Sequence, residues 1–310
     1  MKASFWVMAL VAGAVCLAQE QSGTDAVVRA YNKLKAAEAA KDAAGIKQWA
    51  AETSRVARDA VKNARNDDDG KKQADYARQV DIYTEYSLMA AAISAKDPKD
   101  TVTLVDQLRL QNPKSQYMTE SIGPYLNALR ETVGAEKAGE AATEILKDFP
   151  DDEDGLLMAA DLSQSRKEPD RMLEYAMRLI QVLQTKAAPA GVPAAEWEKQ
   201  KNTKLGLGYW YQGLGYNSQE KFAEADKALR QAVPLLPPGS SVLGVGLFNL
   251  GLADYRLAKE TKGKPDRAML EDALKYSQES AAIKSPSQEQ AAENAKAIKG
   301  ELGAPARRKR

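Results

Sequence analysis

Between residues 206 and 237 the apolar positions fall into two helical rows. Tyr209, Trp210, Gly213 and Tyr216 recur at the spacing of one helix face, and Phe222, Ala225, Leu229 and Ala232 do the same a little later. Asn217-Ser218 interrupts the pattern with residue types that favour caps and turns, and Pro234 and Pro237 stop the second row. The small residues Gly213 and Ala225 stand where two antiparallel helices would press closest. Such a pair is a wedge with apolar surface on two sides, and stacking against neighbours is what buries both.

Looser copies of the same pattern fill the rest of the chain. Helix pairs are predicted over 26–40 with 46–61, 72–95 with 99–111, and 115–132 with 135–148. Two more are predicted over 153–165 with 170–186 and 242–257 with 266–284, and the pair at 206–237 can extend upstream to Ala194. Turn chemistry separates the partners: Asp42 and Gly45, Asp97-Pro98, Gly134, and Glu168-Pro169. Pro124 is expected to start or kink a helix, and residues 66–70 to form a solvated loop. A last helix over 287–302 sets Ala291, Ala292, Ala295 and Ile298 against Gln288, Glu289, Lys296 and Lys299. That polar-backed helix suits the end of a stack, leaving 303–310 as a basic tail.

Composition narrows the function classes. Lys plus Arg at 44 against Asp plus Glu at 43 gives no bias toward nucleic acid or a membrane surface. Residues 1–18 have the charge, apolar run and small residues of a secretory signal peptide with cleavage after Ala18. The run is too short for a bilayer, so the mature form is expected to be exported without a membrane span, to a bacterial periplasm or beyond. Cys16 is the only cysteine and there is no histidine, so a mature chain would lack thiol chemistry, Cys/His zinc sites and the commonest general base. No catalytic residue, metal site or cofactor site is predicted.

Several motifs read as architecture. Glycines at 206, 208, 213 and 215, and at 244, 246 and 251, fit no phosphate-binding loop and read as sites of close helix packing. Ser218 to Lys221 has the S-x-x-K spacing of serine acyl-transferases without its companion motifs, and Ser218 reads as a helix N-cap. The acidic runs 67–69 and 151–154 read as solvated capping residues, since neither has a calcium-loop pattern. Arg307-Arg308-Lys309-Arg310 reads as a solvated tail.

The 206–237 stretch resembles a tetratricopeptide repeat. Gly213 matches the family's small residue of the first helix and Tyr216 its aromatic. Phe222 matches the aromatic opening the second helix, Ala225 and Ala232 its small residues, and Pro237 its closing proline; Gln212 stands where the family has Leu. Leu250-Gly251 keeps the pattern in the next pair, where Ala273, Ser277 and Ser280 take the small positions. Stops at Pro113, Pro150, Pro189, Pro237 and Pro286 are 37, 39, 48 and 49 residues apart, longer than the family's period of about 34. The resemblance implies an all-α, right-handed α-solenoid of about six helix pairs over 19–302, closed by the capping helix.

It also implies where a partner would lie. First helices line the concave groove in this family, which assigns Trp210, Leu214 and Asn217 of the fifth pair and Phe248, Leu252 and Tyr255 of the sixth to it, with Arg256 at its edge. The expected function is a non-catalytic protein–protein interaction scaffold in the cell envelope. The alternatives are a carboxylate-dependent enzyme acting on cell-wall glycan and a self-associating structural protein. Trp210 and Phe248 packing against the next helix is the simpler structural reading.

Overall fold

A computed structural model describes residues 22–189, 191–260 and 265–303. The expected signal peptide, residues 261–264 of the insertion in the sixth pair and the basic tail after Gly303 lie outside them. Among the described residues the chain is all-helical, with thirteen α-helices, one short 3-10 turn and no strand. Its contacts divide it into two units, residues 1–155 and 156–310.

The first unit runs α1 (Ser22–Ala40), α2 (Ala43–Lys62), α3 (Asp68–Ser94), α4 (Pro98–Gln111), α5 (Met118–Val133) and α6 (Ala135–Ile145), and ends in the first turn of α7 (Glu153–Ser165). From α1 to α6 each helix packs on the next. Alternate helices also touch, α1 with α3, α3 with α5, and α2 with α4, which makes two rows of helices. The second unit continues with α8 (Pro169–Thr185), α9 (Ala194–Ser218) and α10 (Phe222–Ala232), whose end tightens into the 3-10 turn Val233–Leu235. It closes with α11 (Ser241–Glu260), α12 (Arg267–Ala281) and α13 (Gln288–Gly303). Here too sequence neighbours pack, and α9 touches α11 while α11 touches α13. An all-α repeat fold is consistent with this neighbour-on-neighbour packing.

Aspartates start many of these helices. Asp42 accepts the Gly45 N–H at 3.0 Å, Asp67 that of Gly70 at 2.8 Å and Asp152 that of Gly155 at 2.8 Å, each satisfying a donor with no intrahelical partner. Asp97 caps α4 and Asp266 caps α12 in the same manner. Glycine three residues after the cap leaves room. A Cβ on Gly45 would lie 2.3 Å from the Asp42 carboxylate, and one on Gly70 2.1 Å from the Arg65 carbonyl oxygen.

Three local expectations are corrected and one is narrowed. Residues 68–70 form the first turn of α3, capped by Asp67, where a solvated loop was expected. Of the second acidic run, Asp152 and Glu153 are buried at 8% exposure each, because α7 begins inside the packed unit. Pro124 lies inside α5 and does not start it. Ser218 ends α9 and its hydroxyl donates to the Leu214 carbonyl at 2.9 Å, so it caps nothing; Lys221 precedes α10 without a side-chain cap. The first helix of the fifth pair does begin at Ala194, and the final helix buries Ala291, Ala295 and Ile298 while Ala292 stays exposed.

Candidate functional site

The expected binding residues sit on α9 and α11, and glycines set the spacing of both helices. On α9, a Cβ at Gly213 would lie 2.4 Å from Leu229 Cγ of α10, and one at Gly206 2.8 Å from Leu235 Cβ. Gly208 and Gly215 face the opposite neighbour, where a Cβ would lie 3.0 Å from Ile180 Cγ1 and 2.7 Å from Leu173 Cγ of α8. Thirty-eight residues on, α11 repeats three of these positions. Gly251 packs on Ser277 of α12 and Gly244 on Ser285, and a Cβ on Gly246 would lie 3.2 Å from the Trp210 ring. Gly213 on Leu229 and Gly251 on Ser277 are therefore the same helix contact made twice.

This spacing decides which side chains remain outside. Trp210 is 6% exposed, packed edge-on to Tyr211 at 4.8 Å between ring centroids and lodged where Gly246 makes room. Leu214 is 8% exposed. Both belong to a core with Met172, Leu229, Leu236 and Leu250 and offer little surface to a partner. Asn217 is half-buried, and its Nδ2 donates to the Asn249 backbone oxygen at 2.9 Å, clipping α9 to α11. Phe248, Leu252 and Tyr255 are half-buried at i, i+4 and i+7 of α11, so they share one face. The Tyr255 hydroxyl donates to Glu301 of α13 at 2.8 Å, and Lys259 pairs with the same carboxylate. Arg256 is exposed with its guanidinium 5.8 Å from the Phe222 ring centre, over the start of α10. Phe248, Leu252 and Tyr255 thus share one partly exposed face of α11, Tyr255 also packing on Ala258, Leu270, Ala273 and Ile298, while Asn217 is bonded to Asn249 and Trp210 and Leu214 belong to the core.

No family model matches this chain, and no curated protein does.

An unforeseen charge cluster joins α10, α11 and α12. Arg230 of α10 donates from Nη2 to both oxygens of Asp254 at 3.0 Å, and from Nε to Asp226 at 2.6 Å. It also reaches Asp272 at 3.3 Å and the Tyr276 hydroxyl at 3.0 Å, both on α12. Asp254 is 1% exposed. Burial and a hydrogen bond that the protonated carboxyl donates to Asp226 push its carboxyl up to about 7, against the lowering effect of Arg230. Burial alone would weaken the hold of Arg230 on its proton, but the Asp254 and Asp226 carboxylates outweigh it and raise the guanidinium's pKa. The sequence carried a partial signal, an Asp226–Arg230 pair at i, i+4 and one acid on an apolar helix face. As a carboxylate pair for glycan cleavage the cluster is poorly suited, since Asp254 is closed off and an arginine occupies the space between the acids. Among the described residues no group of three or more acidic side chains is arranged to hold a metal ion, and no helix is long and apolar enough to cross a membrane.

Proposed function

We propose that the chain is a non-catalytic protein-binding scaffold, exported to the cell envelope, whose helix pairs stack as a right-handed tetratricopeptide-like solenoid of about six repeats. The observation that carries this reading is the face of α11. Phe248, Leu252 and Tyr255 keep apolar and aromatic surface in solvent, on a helix packed closely through its glycines against Trp210 on one side and Ser277 and Ser285 on the other. Pre-positioned aromatic and aliphatic anchors of this kind are what an extended peptide or a helix uses to dock. The absence of histidine and of any cysteine beyond Cys16 supports a binding role over nucleophilic or general-base chemistry. The leader-like residues 1–18 support export.

The test is capture of a partner by cross-linking in the native cells. Wild-type protein is expected to retain a partner that a folded Phe248→Ala, Leu252→Ala variant loses. Equal capture by both proteins would remove this face from the reading.

A further inference from the structure

One arginine serves three carboxylates where α10, α11 and α12 meet. Arg230 of α10 pairs with Asp226 of its own helix at 2.6 Å, with Asp254 of α11 at 3.0 Å and with Asp272 of α12 at 3.3 Å. Among the described residues no other cation pairs with any of the three. Three ionised acids around one guanidinium leave two negative charges uncompensated, and a proton kept by one acid leaves a single charge. Asp254 has the least access to water, its side chain 1% exposed against 22% for Asp226 and 50% for Asp272. It is therefore the acid that keeps the proton, and it donates that proton to Asp226.

The other charged and titratable groups around α11 are engaged elsewhere. On α12 the Tyr276 hydroxyl takes a hydrogen bond from Arg230 at 3.0 Å, and Lys275 lies 5.4 Å from the centre of that tyrosine ring. On α13, Glu301 is held by Tyr255 and Lys259. Arg256 of α11 lies over Phe222. From α9 the residues that meet α11 include Trp210 and Asn217, which are uncharged, and the 3-10 turn Val233–Leu235 has no charged residue.

The acids stand on both sides of a seam. Asp226 and Arg230 belong to α10, which packs on α9, whereas Asp254 and Asp272 belong to α11 and α12. These last two helices are fastened to each other separately, by Gly251 against Ser277 and by the Ser280 hydroxyl donating to the Gly244 carbonyl at 2.7 Å. Loss of the Asp254 proton therefore sets two carboxylates against each other across the seam. The chain has no histidine, so no side chain of ordinary pKa titrates between about pH 5 and about pH 8, and the response falls on this cluster.

We propose that the Arg230 cluster is a pH-sensitive clasp, which holds α9 and α10 on α11 and α12 in acid and lets that seam open as the pH rises through neutrality. With the proton in place, the bond from Asp254 to Asp226 and the bonds of Arg230 cross the seam together. With the proton gone, Asp254 and Asp226 repel, and the buried charge reaches water only when the seam opens. The clasp does not depend on what the α11 face binds, so its failure would leave the scaffold reading standing.

The test is thiol labelling of the full chain carrying Cys16→Ser and one introduced cysteine. Leu236→Cys puts the thiol at the seam, where a Cβ on Gly246 of α11 would lie 3.3 Å from Leu236 Cδ1. Leu179→Cys puts a control in the contact between α8 and α9, since a Cβ on Gly208 would lie 3.3 Å from Leu179 Cδ2. Asp254→Asn keeps the shape and hydrogen bonds of the protonated acid at every pH. Dividing the labelling rate without Asp254→Asn by the rate with it, at one pH, cancels the ionisation of the thiol itself. At Leu236→Cys this ratio is expected to rise by about tenfold or more from about pH 5 to about pH 8. At the upper pH, Leu236→Cys is expected to label about tenfold or more faster than Leu179→Cys, as local opening requires. Asp226→Asn removes the acid across the seam and is expected to shrink the rise. A flat ratio, a rise undiminished by Asp226→Asn, or equal labelling of the two thiols would overturn the clasp.

Discussion

Single residues show most directly how tightly the helices meet. Gly213 lies against Leu229, which is fully buried and has nowhere to move, so Gly213→Ala is expected to cost about 1–3 kcal/mol in urea unfolding. Gly300 of α13 has open space around its Cβ position, and Gly300→Ala is expected to stabilise by roughly 0.5–1 kcal/mol through helix propensity. Opposite signs for one chemical change would separate close packing from backbone freedom. Asp254 gives a pH dependence of defined sign. Its folded pKa lies above the unfolded value of about 4, so the folded state holds the proton more tightly between that value and about 7. The stabilisation is full below the unfolded pKa and is lost as pH rises toward 7. Asp254→Asn is expected to flatten that part of the melting-temperature profile, and an unchanged slope would show that the group titrates elsewhere. The sequence displayed the glycines and suggested their role. It offered the packing of Trp210 on the next helix as one reading, but not that Gly246 of α11 is the residue that makes room for the ring.

At the scale of the helix, starts were more legible than the side chains they expose. Asp42 was readable as a cap, and the same Asp-x-x-Gly spacing recurs at Asp67 and Asp152, which the sequence also offered as capping residues but as solvated ones. Position decides between loop and cap: an acid followed three residues later by glycine serves the free N–H groups of a helix, and Gly70 is buried there. Ser218 shows the converse. Its type suits a cap, but α9 runs through it, and the turn into α10 falls at Glu220, which has a φ of 57°. Asp67→Ala is accordingly expected to cost about 1 kcal/mol and to speed amide exchange in the first turn of α3. Ser218→Ala is expected to be nearly neutral. A cost at Ser218 equal to that at Asp67 would contradict the placement of the turn.

At the scale of the molecule, contacts run between sequence neighbours and next-but-one neighbours within each unit, so helical periodicity and proline stops were enough to place most of the helices. Long-range charge clusters were not legible in this way. Arg230 meets Asp254 and Asp272 from 24 and 42 residues away, and nothing in the local pattern links them. The partly open face of Phe248, Leu252 and Tyr255 is what the proposed scaffold would present to a partner. The most direct measurement is site-specific photo-cross-linking in the native cells, with benzoylphenylalanine placed at Phe248 or, as a control, at exposed Lys227 of α10. A discrete adduct with another protein from position 248 and none from position 227 is the predicted result. Adducts of equal yield from both positions, or none from 248 in a folded protein, would contradict the account.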